Sequence, residues 1–343
     1  MGKTELINTL LFLSLSGITS FFLNKYIYNV FSNNKILDPV TIRSSHRSKA
    51  TRSGGLSVFL SISVCFAIAS STTKLTLDPY MLLGVIFMAI TGIADDFFNV
   101  KYREKFFLQI FSGLIVLQAG YSIDSFHGVF GIYELPVWLS YCVSLFIFLI
   151  IVNALNLIDG LDGLASLILI NFLVVVGGIV TIGSYGMGLF FPILIGAILG
   201  FLIHNFSSIN KVFLGDTGSL FLGSVLAYFI FYILDSSNEV VIDEYISRPL
   251  FCVLILIYPL ADTLRVILLR SYKRQSPFVA DRIHLHHRLV DKGYEHWEAS
   301  LLIFVLSILV LFINLILYQF IGLNGCVLVS IMILLLYYYV FFK

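Results

Sequence analysis

The stretch Asn153–Leu164 reads N-A-L-N-L-I-D-G-L-D-G-L and sets two carboxamides and two carboxylates between long apolar runs. Asn153, Asn156, Asp159 and Asp162 recur every three residues. On a helical turn that spacing gathers them on one broad face. Gly160 and Gly163 let the chain turn and let a ligand approach the backbone. Carboxylates at the end of an apolar helix are costly without a partner, and nothing basic lies inside the stretch. A divalent cation, or a ligand brought with one, suits that donor set.

Three other polar clusters interrupt the apolar sequence. Asp95 and Asp96 close a run ending T-G-I-A-D-D-F-F. Adjacent carboxylates repel, so one holds a proton, a cation sits beside them, or the pair simply faces water. Asp216 lies in V-F-L-G-D-T-G-S, just before another run. It either caps the following helix or ligates a metal while helix amides face a phosphate. Phe213 of that segment either faces lipid or stacks on a base. The third cluster, D-R-I-H-L-H-H-R, sets His284, His286 and His287 between Arg282 and Arg288. Its spacing does not match the i, i+4 pair of a zinc helix, and arginines beside imidazoles suit a diphosphate better than a soft metal. Arg52, just ahead of Gly54-Gly55, is either a phosphate contact at a helix start or a membrane anchor, and the same holds for Arg43 and His46.

The elements that must position these residues are membrane helices. Of 343 residues, 59% are hydrophobic and 12% charged; soluble domains carry about 25% charged residues. This predicts an all-α polytopic membrane protein, with a single integral-membrane domain over 1–343 and no separate soluble domain. The net charge of +1 says little by itself, and no nucleic-acid partner is expected. Four cysteines sit singly in apolar runs without a CxxC, which predicts packing residues rather than zinc ligands or disulfides. The first run follows Lys3 and precedes no small-x-small site, as in a signal anchor. At about 20 residues per span, candidate spans are 4–23, 55–72, 79–94, 106–120, 136–153, 164–183, 187–204, 218–234, 249–269, 300–319 and 323–342, about eleven transmembrane helices. Lys and Arg cluster in segments 24–54, 95–105, 205–217 and 270–299. Those segments are therefore expected in the cytoplasm, with the N-terminus out and the C-terminus in. All four polar clusters fall on that same side, as one groove built from several helix ends would require. On the other side, Gly120–Pro136 is expected as a short hairpin and Asp235–Glu244 as a solvated acidic loop.

Taken together, these residues resemble the polyprenyl-phosphate N-acetylhexosamine-1-phosphate transferase family, of the WecA/MraY type. The elements run in the family's order from Arg43 to about Trp297. They are the DD pair (Asp95, Asp96), NxxNxxDGxDGL (Asn153 to Leu164), FxGDTGS (Phe213 to Ser219) and HxHH (His284, His286, His287). The resemblance implies a helical bundle with a cytoplasmic active-site groove, a homodimer, and a bacterial inner-membrane location. It implies Mg²⁺-dependent transfer, with Mn²⁺ as the alternative ion, of N-acetylhexosamine 1-phosphate from a UDP-sugar to undecaprenyl phosphate, releasing UMP. Asp216 would ligate the metal with Asn156 or Asp159. Asp162 would meet uracil, with Phe213 stacked on it. His284, His286 and His287 would hold phosphates, and Asp95 or Asp96 would lie beside the lipid phosphate. Asp95, Asp96, Asp159 and Asp216 are the catalytic candidates; Arg52, Asn153, Asp162, Phe213, Arg282 and the three histidines are the substrate-binding ones. Leu285 interrupts the run of three histidines typical of the peptidoglycan branch. The resemblance therefore favours the branch that starts O-antigen, capsule or related glycans over the phospho-MurNAc-pentapeptide transferase. A secondary transporter is the alternative from another class, but its carboxylates belong near the membrane centre, often within repeated halves.

Such a transfer exchanges one phosphoanhydride for another. The nucleophile is a phosphate oxygen already largely ionised near neutral pH, the second pKa of a monoester being about 6. Repulsion between anions, rather than lack of a base, is the obstacle, and a cation with His and Arg donors lowers it.

Overall fold

The computed structural model describes residues 3–37, 50–73, 75–183, 187–274 and 283–342. Arg43, His46 and Arg282 fall outside them. Nearly every described element is a helix. The first eight are α1 (Lys3–Asn33), α2 (Gly54–Thr72), α3 (Pro79–Phe98), α4 (Tyr102–Leu117), α5 (Val137–Ile158), α6 (Leu164–Gly183), α7 (Phe190–Asn205) and α8 (Gly215–Leu234). They are followed by α9 (Arg248–Ile255), α10 (Ile257–Tyr272), the short α11 (Leu285–Asp291) and α12 (His296–Phe342). Among the described residues, six helices are long and apolar enough to cross a membrane, or seven if α9 and α10 count as one broken span. The chain is a polytopic membrane protein. Large apolar side chains such as Leu10, Phe22, Leu83, Phe107 and Leu328 are exposed around the bundle, as a lipid-facing surface requires.

Each expected span overlaps a helix, but not all are straight full spans. α7 has only 16 residues, and the expected ninth span bends by 78° at Leu256, between α9 and α10. The last two expected spans are the two halves of α12. Gly322, at φ +63°, breaks that helix. Asn314 Nδ2 donates to Ser330 Oγ at 2.9 Å, whereas sixteen residues of continuous helix would separate them by about 24 Å. The two halves therefore fold back as an antiparallel hairpin about Gly322.

Helix α8 is the axis of the molecule. Thr217 through Leu234 are all buried, which matches a helix apolar on every side. It packs against α2, α3, α5 and α9. At Gly92 of α3 a Cβ would lie 2.4 Å from Thr217 Cα and 2.5 Å from Asp216 O, so the two backbones cross in contact at the first turn of α8. Two-residue strands β1 (Ala50–Thr51) and β2 (Lys211–Val212) pair in parallel and tie the start of α2 to the start of α8. The amides of Gly54 and Gly55 donate to Phe213 O and Leu214 O at 3.0 and 2.8 Å. These glycine amides serve the fold and do not form a phosphate site, contrary to that reading of the α2 start.

At the end opposite the motifs, Gly120–Pro136 forms no strand ladder. It closes through Gly128 N to Ile132 O and Leu135 N to Asp124 O, around a 3-10 turn. The acidic loop is pinned rather than merely solvated. Arg248, 6% exposed, donates to Asp243 and to the carbonyls of Ile233, Asp235 and Asn238. Three of the four free cysteines are buried and Cys142 is exposed.

Candidate active site

The site is built on the first turn of α8. Gly215 has φ +69°, and a Cβ there would come within 2.9 Å of the Asp96 carboxylate, so this turn needs glycine. Asp96 accepts from Asp216 N at 2.9 Å, Thr217 N at 2.8 Å and Thr217 Oγ1 at 2.6 Å. It supplies acceptors for helix amides that lack an intrahelical partner. Asp95, the next residue back along α3, points elsewhere because successive helical side chains diverge by about 100°. The repulsion expected of the pair is thereby avoided: each carboxylate has its own donors.

Asp95 meets Lys105, of the first turn of α4, at 2.7 Å, and the same ammonium lies 3.1 Å from Asp216 Oδ1. The Asp95 and Asp216 carboxyls are themselves within hydrogen-bond reach. Asn156 donates from Nδ2 to Asp216 Oδ1 and, at 2.9 Å, to Ser219 Oγ. Asp159 accepts from the amide of Gly215. Burial, with the charges of Asp216 and Asp96 next, holds Asp159 well above the usual carboxylate range. Four carboxylates and a carboxamide thus converge on one helix terminus, with a lysine ammonium between Asp95 and Asp216.

The Asn153–Asp162 series does not share one face. Helix α5 stops at Ile158, so the helical spacing holds only for Asn153 and Asn156. Asn153 pairs with Gln109 of α4, its Nδ2 donating at 2.8 Å to Gln109 Oε1. Asp162 lies in the turn before α6 and meets basic groups from other elements. Lys211 Nζ is 2.6 Å and His296 Nδ1 3.0 Å from its Oδ2. Burial would raise its pKa, yet those hydrogen bonds hold it below the usual value. The turn is fixed by Asn205, which accepts from Gly163 N at 2.7 Å and donates to Val212 O at 2.8 Å. Phe213 is half-buried with Lys211 Nζ 5.9 Å from its ring centroid. Arg52 follows β1, whose Thr51 O accepts from Phe213 N, so it lies at the same edge.

His284 and His286 are buried, at 4% and 0% accessible, and His287 is half-buried. The cluster nevertheless reaches the aspartate loop. A Cβ on Gly160 would meet His286 Nε2 at 2.9 Å and His287 Nε2 at 3.2 Å, so both imidazoles turn these edges toward the residue after Asp159. Burial, with the charge of His287 next, drives His286 well below the usual histidine value and keeps it neutral.

The structure therefore brings Asp95, Asp96, Asn156, Asp159, Asp216, His286 and His287 together. It places Asn153 beside Gln109 and Asp162 in a neighbouring cluster. Sequence reasoning passed over Lys105, Lys211, Asn205 and His296, because each reads as an ordinary basic or polar residue at a helix end. Asp262 of α10, whose Oδ2 lies 2.8 Å from His284 Nδ1, did carry a signal: a lone carboxylate inside an apolar run marks a functional position.

Residues 79–234, from the start of α3 to the end of α8, match the family model described as glycosyl transferase family 4. A Bacillus subtilis (strain 168) protein, described as a probable undecaprenyl-phosphate N-acetylglucosaminyl 1-phosphate transferase, is 31% identical over 79% of this chain and 74% of its own length. The chain belongs to glycosyl transferase family 4. A decaprenyl-phosphate N-acetylglucosaminephosphotransferase of Mycolicibacterium smegmatis is 31% identical over 77% of this chain and 70% of its own length. The undecaprenyl-phosphate alpha-N-acetylglucosaminyl 1-phosphate transferase of Escherichia coli K12 is 26% identical over 88% and 80%. The matched segment of this family member holds both sides of the carboxylate cluster, Asp95-Asp96 and Asp216, and the loop between them.

Proposed function

We propose that this protein transfers N-acetylhexosamine 1-phosphate from a UDP-sugar to undecaprenyl phosphate, releasing UMP and starting a lipid-linked surface glycan. N-Acetylglucosamine is the first donor to test, since the relatives are described by it. The observation that carries the reading is the convergence of Asp95, Asp159, Asp216 and Asn156 on one buried helix terminus, facing two imidazole edges across Gly160. Carboxylates gather a cation and imidazoles gather phosphate, so a metal-bound diphosphate suits the gap between them.

The residues fit Mg²⁺, or Mn²⁺ in its place. The donors are hard oxygens, and the Lys105 ammonium already takes a cationic position between Asp95 and Asp216. Asp216 would hold the ion, joined by Asp159 or by the oxygen of Asn156. The bound ion screens the anionic phosphates and stabilises the leaving nucleotide. The lipid phosphate oxygen attacks the phosphorus that bears the sugar; a new phosphoanhydride forms and UMP departs with the old bridging oxygen. Both Asp96 oxygens are engaged by α8, so Asp95 is the member of the pair that faces this chemistry and orients the lipid phosphate, together with Lys105. His286 and His287 hold the diphosphate from the opposite side. Asp162 and Phe213, adjoining at Lys211, receive the uracil ring.

The motif end also carries the basic segments, which supports a groove on the cytoplasmic face of the bacterial inner membrane. Membranes containing the protein, given undecaprenyl phosphate and a panel of UDP-N-acetylhexosamines, should release UMP from one donor and only with Mg²⁺ or Mn²⁺. No UMP from any donor would refute the reading and return the transporter class.

A further inference from the structure

Helix α10 grips the histidine loop through two residues one turn apart. Asp262 is 0% exposed. Its Oδ2 accepts from His284 Nδ1 at 2.8 Å and its Oδ1 from Leu285 N at 3.0 Å, while Arg265 stands 3.4 Å from Oδ1. Tyr258, four residues earlier on the same helix face, has its hydroxyl 3.2 Å from His286 Nδ1. Asp262 Oδ2 is 3.8 Å from that nitrogen, beyond hydrogen-bond range. The three ligand-type residues Asp262, His284 and His286 lie close together. An arginine and a backbone amide already occupy the carboxylate, however, so a resident cation is disfavoured there.

His286 is fully buried and its Nε2 has no hydrogen-bond partner among the described residues. Leaving a buried polar atom unpaired is unfavourable. The atom faces the niche left by the missing Cβ of Gly160. A neutral imidazole carries one N–H, and the hydrogen bond at one nitrogen decides where it sits. A Tyr258 hydroxyl that donates to Nδ1 would leave the proton of His286 on Nε2.

We propose that Tyr258 and Asp262 are positioning residues for the histidine loop. Asp262 anchors the loop through His284 and Leu285. Tyr258 fixes His286 as the tautomer whose Nε2–H donates to a phosphate oxygen of the nucleotide-sugar diphosphate beside Gly160. The proposal rests on the transferase reading and adds residues from α10 that do not touch the substrate.

The test is a double-mutant cycle on purified full-length protein, with UDP-N-acetylglucosamine binding followed by calorimetry and UMP release followed on the same samples. Calorimetry reads variants that have lost turnover. Tyr258→Phe should weaken donor binding about tenfold in the wild-type background, the scale of one hydrogen bond to a charged group, and less than twofold in His286→Ala. If Tyr258→Phe does not fold, Asp262→Asn decides by the same criterion against the His284→Ala/His286→Ala pair. Equal losses in both backgrounds, or none in either, would overturn the proposal while wild-type UMP release keeps the transferase reading intact. Wild-type protein that neither binds the donor nor releases UMP would overturn both.

Discussion

Asp96 and Asp216 stand at the same helix terminus and do opposite things. Asp96 receives two amides and a hydroxyl of α8, and Asp216 faces Lys105 and Asn156. Asp216→Asn should therefore leave the melting temperature in detergent near that of wild type and abolish UMP release at matched expression. Asp96→Ala removes a helix cap worth about 0.5–2 kcal/mol, so it should lower the melting temperature together with the rate. Normal turnover of Asp216→Asn across an Mg²⁺ titration would take Asp216 out of the metal site. His286 gives a pH signature. Its folded-state value lies well below 6.5, so below that pH the unfolded chain takes up a proton that the folded protein refuses. The stability from this source is complete above the unfolded value and declines as pH falls beneath it. The wild-type melting temperature should drop from pH 7 to pH 5 more steeply than that of His286→Asn, and parallel curves would refute the buried neutral imidazole.

At the scale of elements, the crossing of α3 and α8 sets the geometry of the cluster. Gly92→Ala would place a methyl against the Asp216–Thr217 backbone, and such overpacking costs about 1–3 kcal/mol. The expected outcome is a lower melting temperature with UMP release reduced at least tenfold; unchanged values of both would show that the helices separate without disturbing Asp216. Much of this layer was legible in the sequence. The apolar runs overlapped every long helix, though not the short α11 of the histidine loop, and the ordered motifs named the carboxylates that meet at α8. What stayed hidden has physical reasons. The three-residue spacing from Asn153 to Asp162 assumed a helix that ends at Ile158, so Asp162 falls in the turn beyond it and meets Lys211 and His296. The bend at Leu256 leaves no mark in a hydropathy pattern that runs through it. Lys105 read only as a positive charge of a loop, because its partners come from helices α3 and α8.

For the whole molecule, the motif loops share one end of the bundle. Helix α1 runs parallel to α7, with Gly17 beside Gly196 and Phe21 O at His204 Nε2, so the start of α1 lies at the other end. On a cysteine-free background, single cysteines at Asn99, Ser207 and Lys292 should label only after the cells are permeabilised, and those at Asp124 and Asn238 from outside. Labelling of any two of the first three from outside would sink the cytoplasmic groove.

The reversal of α12 at one glycine bears on how the chain enters the bilayer. No charged residue lies between Glu298 and Lys343, and Gln319, beside the turn, is stapled to the Glu244 carbonyl. Insertion of the last two helices therefore carries no ionised cargo across the hydrocarbon. The pair can enter as one preformed wedge whose leading tip is nearly as oily as its flanks, and its direction is set by the charges left behind at its trailing ends.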